Sequence, residues 1–367
     1  MSSEFRSATE SQQKMERTSV CFYQPSDALY RKPLFDELTS RGWAVQLRIH
    51  RSVAVGEAEK RKEAEELPVR TASVRGRRLH WASRHGGTNQ EPAPDVVVLS
   101  WDLAFVSLVP AILQHRNRGS RVVLWGHGFS RGRTTVWSRL RLLIAKTADV
   151  VALYDEESAK QVRESGLSRA LSVGNGLETT AVSRSPLRDN GTTTTLLFVA
   201  RLSDDRGLPS LIDSIGHRPI RLVIVGDGPE RERLEKLATR SAAEIVFRGA
   251  LYGDDPRLTR EFAEADFLFL PVGGGLSFVH ALQLGIPVIT QDDRSVHGPE
   301  FSYLNRNNSL LYKAGEEETV LDRLQSIDQP AYESMVSNAL LDAEQTLIPR
   351  FADRFEEAFE MAVNRPK

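Results

Sequence analysis

Apolar residues along the chain come in short unbroken runs rather than in alternation with polar ones. The first half has such runs at 20–23, 45–49, 95–99, 121–125 and 149–153; the second has them at 196–199, 221–225, 244–247, 266–270 and 287–290. Continuous runs rich in Val, Ile and Leu belong to parallel strands covered on both faces. Between them lie stretches with helical spacing, such as 229–238, which opens with Pro229 and acid in its first turn. Strand alternating with helix predicts an α/β fold of doubly wound parallel sheets.

The most linker-like interior segment is Ser183-Arg184-Ser185-Pro186-Leu187-Arg188-Asp189-Asn190-Gly191, followed by four threonines. The expected organisation is therefore a disordered tail at 1–18, a Rossmann-like domain at 19–180, a linker at 181–194 and a second Rossmann-like domain at 195–345. A closing helix at 346–367 is expected to pack back across the domain junction. Such sheets bind ligands beyond the carboxyl ends of their strands, so two domains facing across a cleft are expected. The charged stretch 56–66 reads as a helix with a solvated face.

With 367 residues, 40% apolar and 26% charged, the chain can bury sizeable cores and is not globally disordered. A single cysteine, Cys21, excludes a scaffold stapled by internal disulfides. There is no apolar run of membrane-spanning length, and the polar start has no apolar signal core. A cytoplasmic location follows as the expectation. The net charge of −1 conceals an asymmetry: residues 19–180 carry 24 Lys and Arg against 17 Asp and Glu, and residues 181–367 carry 21 against 29. A basic first half favours an anionic partner there, or is ordinary surface charge. The basic, partly amphipathic segment 131–146, with Arg116, Arg118 and Arg121, either rests peripherally on anionic lipid or is a core helix with a solvated basic face. No nucleic-acid partner is expected.

Chemistry-bearing residues collect where strands end. The run at 196–199 leads into Arg201 and, five residues on, Arg206. The run at 221–225 ends in Gly226-Asp227-Gly228 before a helix, and the run at 266–270 ends in Pro271-Val272-Gly273-Gly274-Gly275-Leu276-Ser277 before another. Glycines at a helix start let a ligand reach bare backbone N–H groups, and the helix dipole adds about half a positive charge. With two guanidinium groups this makes about +2.5 against roughly −2 for a nucleoside diphosphate, enough without a metal. The adjacent pairs Asp204-Asp205, Asp254-Asp255 and Asp292-Asp293 make no evident metal clamp, and no cofactor is expected. No GxSxG, HExxH or Walker A sequence is present, and Gly226–Gly228 lacks the third glycine of a dinucleotide fingerprint.

These stretches resemble the retaining glycosyltransferases of family 4, which have the two-domain GT-B fold. The resemblance is carried by FVARLSDDRGLPSLIDSI at 198–215, LVIVGDGPERERLEKLA at 222–238, EADFLFLP at 264–271 and GLSFVHALQLGIPVIT at 275–290. In the first half it is carried by LWGHG at 124–128, ADVVALYDEESAKQVRESG at 148–166 and NGL at 175–177. It implies a glycosyltransferase that moves a sugar from a nucleotide-diphosphate-sugar donor to a hydroxyl of a glycan or lipid-linked acceptor, in polysaccharide, lipopolysaccharide or other glycoconjugate biosynthesis. Arg201 and Arg206 then face the donor diphosphate, with Arg206 standing where the family has lysine. Gly274, Gly275, Leu276 and Ser277 cradle phosphate, Gly226 supports the donor site, and Arg248, Gly249 and Leu251 hold the base. His127, flanked by Gly126 and Gly128, lies near the transferred sugar; Tyr30 and Arg31 border the acceptor.

One departure stands out. The family pairs two glutamates across seven residues, and this chain has Val272 and His280 there. His280 either hydrogen-bonds ribose or phosphate, with a catalytic part beside His127, Arg201 and Arg206, or is a histidine packed at a helix start. The same replacements would suit a degenerate partner subunit that binds a nucleotide sugar without transferring it; a sugar-nucleotide epimerase on the same fold would need cleft carboxylates.

Overall fold

The computed structural model describes residues 18–25, 28–50, 64–74, 76–82, 91–129, 136–179, 193–251, 253 and 255–364. These divide into two units, one drawn from 18–174 and 348–364, the other from 175–347. Residues 175–179, expected in the first domain, group with the second. Positions 1–17 of the expected tail, almost all of the expected linker and positions 131–135 of the basic segment lie outside the described residues.

In the first unit, β1 (Ser19–Gln24) is followed by a short 3-10 turn (Leu29–Arg31), α1 (Lys32–Ser40), β2 (Ala44–His50) and β3 (Glu65–Leu67). An antiparallel hairpin, β4 (Val69–Val74) with β5 (Arg77–Ala82), comes next. Then come β6 (Val96–Ser100), α2 (Leu108–Asn117), β7 (Arg121–Gly126), α3 (Val136–Ala145), β8 (Val150–Leu153), α4 (Glu156–Glu164) and β9 (Ala170–Ser172). Except for the hairpin, the strands form one parallel sheet in the order β3-β2-β1-β6-β7-β8-β9. The chain winds outward in both directions from the β1/β6 pair, which is where such a sheet opens a crevice. The hairpin is largely exposed, so its sequence lacks the apolar runs that betray the parallel strands. Glu65 and Glu66, expected in a helix, begin an edge strand instead; positions 56–63 of that expected helix lie outside the described residues.

The second unit repeats the plan. Its elements are β10 (Thr194–Val199), α5 (Leu208–Ile215), β11 (Ile220–Val225), α6 (Arg231–Ala238), β12 (Glu244–Gly249), α7 (Pro256–Glu264), β13 (Phe267–Phe269), α8 (Leu276–Gln283), β14 (Val288–Gln291), β15 (Ser309–Tyr312), α9 (Glu317–Gln325) and α10 (Gln329–Ala343). Its parallel sheet runs β12-β11-β10-β13-β14-β15, with the reversal between β10 and β13. Leu196, Leu197 and Phe198 of β10 are fully buried, as are Leu268 and Phe269 of β13, which is why these strands read as unbroken apolar runs. Helix starts follow local chemistry: Asp255 accepts from the Arg257 amide at 2.9 Å with Pro256 at the first position of α7, and Asp328 caps α10 through Ala331.

The closing helix α11 (Ile348–Val363) belongs to the first unit and packs on β6, β7, β8 and α1. Ile348, Phe351, Ala352, Phe355, Ala358, Phe359 and Ala362 recur at helical spacing and are buried. Phe355 meets Phe22 and Trp125 edge-on at 5.5 and 5.0 Å between ring centroids, and Phe359 meets Trp43 at 4.9 Å. Burial of each phenylalanine contributes about 1.5–3 kcal/mol. Around the rim, Arg41 holds Glu37, Asp353 and Glu356, and Trp43 Nε1 donates to Glu356 at 2.8 Å.

Candidate functional site

Loops at the carboxyl ends of β10, β11 and β13 meet in the second unit. The loop after β10 carries Arg201, which is exposed and whose side chain makes no hydrogen bond or ion pair among the described residues. It lies against the turn after β11: Leu202 donates to the Asp227 carbonyl at 2.9 Å, and Glu230 donates to the Leu202 carbonyl at 3.2 Å. Gly226 makes this contact possible. Its φ is +152°, and a Cβ there would run into the Ala200 carbonyl oxygen. Gly226 thus acts by letting the Arg201 loop close in.

Arg206 ends a 3-10 turn (Asp204–Arg206) and reaches the glycine loop after β13, donating from Nη1 to the Gly273 carbonyl at 2.8 Å and from Nε to Ser203 Oγ at 3.3 Å. Two loops far apart in sequence are thereby tied together at the β10/β13 reversal. Helix α8 starts from Gly275 with no side chain capping its first turn. Its N-terminal amides carry the positive end of the helix dipole at this place. Ser277 turns its hydroxyl onto the Val199 carbonyl, 3.0 Å, and so ties α8 to the end of β10.

Behind the glycine loop sits His297, buried, which the sequence, placing it near Asp293, discounts as a metal site. Its Nδ1 accepts from the Gly274 amide at 3.3 Å and its Nε2 faces the Gln291 carbonyl at 3.0 Å, an arrangement that assigns the proton to Nε2. The ring stacks on Phe301 at 5.0 Å, and the Gly298 amide donates to the Gly274 carbonyl at 2.6 Å. Glu300, also buried, accepts from Asn175 Nδ2 at 2.9 Å and places its other oxygen toward Gly275 and Gly298. No hydrophobic period marks His297 or Glu300, since both lie in or beside the short 3-10 turns Arg294–Val296 and Pro299–Tyr303 after β14.

The remaining expected donor-side residues lie at the margins. The Arg248 side chain pairs with Glu261 at 2.7 Å, and the Gly249 carbonyl accepts from the Gly226 amide at 2.8 Å. Leu251 and Leu276 are half-buried against the apolar core. The His280 ring stacks on Phe262 of α7, 4.1 Å between centroids and 23° between planes. Burial there lowers its pKa to about 4, so it is neutral at pH 7.

In the first unit a second cluster forms where β1, β7 and β8 end. The Arg31 guanidinium lies 4.2 Å from the Trp125 ring centroid and 5.3 Å from that of Tyr30. It donates to Gln24 Oε1 and, at 2.8 Å, to the Tyr154 hydroxyl. His127 is exposed, with its ring 4.5 Å from that of Tyr154. Gly126, which closes β7, abuts Trp101. Tyr154 had no assigned part in the sequence, although the strand-end argument applies to it equally. Among the described residues, no three His, Cys, Asp or Glu side chains are grouped as metal ligands.

Residues 193–327 match the family model of the glycosyl transferases group 1. A GDP-mannose-dependent alpha-mannosyltransferase of Corynebacterium glutamicum is 36% identical over 96 residues, which is 25% of this chain and 22% of that protein. The lipopolysaccharide core biosynthesis glycosyltransferase LpsE of Rhizobium meliloti is 25% identical over 224 residues, 58% of this chain and 63% of that protein. Both matches span less than two thirds of the relative. Among solved structures, Anabaena Alr3699/HepE in complex with UDP superposes with a TM-score of 0.69 at 16% identity, over 94% of this chain and 100% of that one. The fold is GT-B.

Proposed function

We propose that the chain is a glycosyltransferase that moves a sugar, with retention, from a nucleotide-diphosphate-sugar donor to a hydroxyl of a glycan or lipid-linked acceptor. The observation that carries this reading is the Arg206 guanidinium fixed on the Gly273 carbonyl beside the uncapped start of α8. The matches to group 1 and to sugar-transferring relatives support it. Arg201, Arg206 and the backbone of 274–277 hold the diphosphate and stabilise its charge as it leaves, without a metal. Preorganised donors act on developing negative charge, and removal of one typically costs about 3 kcal/mol of barrier. Arg201 is exposed, so it turns onto the donor on binding, whereas Arg206 is already in place. His280, neutral against Phe262, offers a hydrogen-bonding edge rather than a charge. The acceptor lies at the first unit's strand ends, near Tyr30, Arg31, Gly126 and His127.

A panel of nucleotide sugars, with release of nucleoside diphosphate as readout, tests the assignment. Arg206→Ala is expected to lower donor turnover by about a hundredfold and Arg201→Ala to lower it as well, with the fold intact by circular dichroism. Wild-type rates in both variants would remove the phosphate site, and donor binding without turnover in the wild type would favour the degenerate-subunit reading.

Peripheral attachment to an anionic membrane on the cytoplasmic side is part of the same proposal. Among the described residues, no helix is long and apolar enough to cross a membrane. On α3, Val136, Trp137, Leu140 and Leu143 are exposed, at 81, 49, 40 and 60%, beside Arg139, Lys146 and the Arg77 guanidinium over the Trp137 ring. An apolar strip edged with cations suits a lipid interface. Co-sedimentation with phosphatidylglycerol vesicles, absent with phosphatidylcholine and lost in Trp137→Ser/Leu143→Ser, is the expected result.

A further inference from the structure

We infer that the strand-end cluster of the first unit binds an oxyanion, a carboxylate or a phosphate, so that the acceptor is an anionic saccharide or sugar phosphate. The anion site stands on the first unit alone; its description as the acceptor's site rests on the transferase reading.

Three N–H donors here are buried and have no hydrogen-bond partner among the described residues: Gln24 Nε2, Arg31 Nε and Trp125 Nε1. Gln24 and Trp125 are each 2% exposed. The donors belong to one cluster, since Arg31 lies over Trp125 and bonds Gln24 Oε1. Buried polar groups are almost always paired in folded proteins, so three absent acceptors around one guanidinium outline a missing partner. Its chemistry follows from what is left over. All three groups donate, one belongs to a cation, and among the described residues no carboxylate pairs with Arg31. Asp155, next along from β8, is engaged at the start of α4, where it accepts from the Ser158 amide and hydroxyl. A neutral hydroxyl supplies lone pairs for one or two donors but no charge. A carboxylate or phosphate supplies several lone pairs and the opposite charge, which suits a planar guanidinium fork.

Trp125 and Tyr154 give the site its floor. The guanidinium carbon lies 4.2 Å from the indole centroid while one Nη reaches the Tyr154 hydroxyl, so the fork is anchored at both. Arg31 itself is half-buried and His127 is exposed, so the cluster meets solvent along the His127 rim. An arriving oxyanion exchanges with the Gln24 amide oxygen for the fork, and Gln24 Nε2 then points at the same anion. A ring of saccharide behind the anion would lie toward Tyr30 and His127, where the sequence expected an acceptor.

Calorimetric titration of the full chain with glucose 1-phosphate, glucuronate and methyl α-glucoside tests this. Saturable binding of at least one anionic probe is expected, with the neutral glucoside weaker by about tenfold or more. Which anion binds identifies the source of the charge. Arg31→Met should weaken the anion by about tenfold, and Arg31→Lys, which keeps the charge but loses the fork, by less. Should the methionine variant fail to fold, the lysine variant and Gln24→Leu give the readout, each weaker than wild type for the anion alone. Arg206→Ala should leave anion binding intact while weakening nucleoside diphosphate. Equal binding of the neutral glucoside, anion binding unaffected by any change at Arg31 or Gln24, or its loss in Arg206→Ala would each overturn the inference. Anion binding with no diphosphate binding would instead remove the transferase reading and leave this site standing.

Discussion

The second unit builds its strand-end site from backbone, and the first unit builds its own from side chains. Beyond β10 and β13, Arg206 is bonded to a carbonyl, Gly274 to His297 and Gly298 to Gly274, so glycines and amides set the geometry. Beyond β1, β7 and β8, the geometry comes from Arg31 laid over Trp125 and reaching Tyr154, with donors left over. A backbone cradle suits a group shared by many ligands, such as a diphosphate, because amides recognise phosphate oxygens whatever is attached. A side-chain cluster can be recast by substitution without disturbing the sheet beneath it. On the proposed function, the donor half would be held constant and the acceptor half tuned.

Adding one methyl group to each site separates these two modes most strongly. In Gly226→Ala the new Cβ meets the Ala200 carbonyl oxygen, in a loop pinned on both sides, at a φ that other residues rarely adopt. Backbone has to move, and a loss of about 3 kcal/mol is expected, at the upper end of ordinary substitutions, together with weaker donor binding through Arg201. In Gly126→Ala the new Cβ meets the Trp101 Cβ at 2.9 Å and the Trp101 carbonyl oxygen at 3.2 Å, so the chain must shift there too, but less far than at Gly226 and with no positive φ to strain it. A smaller loss, about 2 kcal/mol, is expected from overpacking alone. Urea unfolding of both variants measures the difference. Equal losses would mean that the second site is no more dependent on its backbone than the first.

The sequence disclosed the two modes unequally, for a physical reason. Parallel strands buried on both faces must be apolar throughout, so β1, β6, β7, β10 and β11 were legible as runs. The edge strand β3 and the exposed hairpin β4–β5 carry no such requirement and were not. At the second unit's strand ends, Arg201, Arg206 and the glycine loop were legible because each lies in the loop that follows a buried strand. In the sequence His297 is discounted and Glu300 has no assigned part, because their contacts with the glycine loop arise only when the short 3-10 turns after β14 fold back beneath it. The side-chain cluster was half legible: Arg31 and His127 sat where strands end, but nothing local links Gln24 on β1 to Trp125 on β7, which are joined only through Arg31 with β6 between their strands. His280 lay at a position that suggested chemistry, and the structure stacks it on Phe262 instead of on a neighbouring polar group.

That stacking gives the smallest and most specific expected effect, and it bears on whether the second unit's support is apolar as well as backbone-built. Burial holds the folded His280 pKa near 4, against 6.5 in an unfolded chain. Between those values the unfolded chain holds a proton that the folded one lacks, so stability falls as pH drops below 6.5 and levels off near 4. From pH 7 to pH 5 this one group should remove up to about 2 kcal/mol. His280→Phe keeps an aromatic ring against Phe262 and has no proton to bind, so its urea unfolding should show a drop smaller by that amount. His50, in the first unit, is lowered to about 4 by burial and by His80, so the variant retains an acid-sensitive share from that unit. A wild-type drop in His280→Phe would mean that the ring is hydrated enough to charge, and a charged imidazole one turn into α8 would add a third cation to the proposed diphosphate site. The reduced drop would instead leave the two arginines and the helix start as its positive charge, with His280 holding α8 against α7.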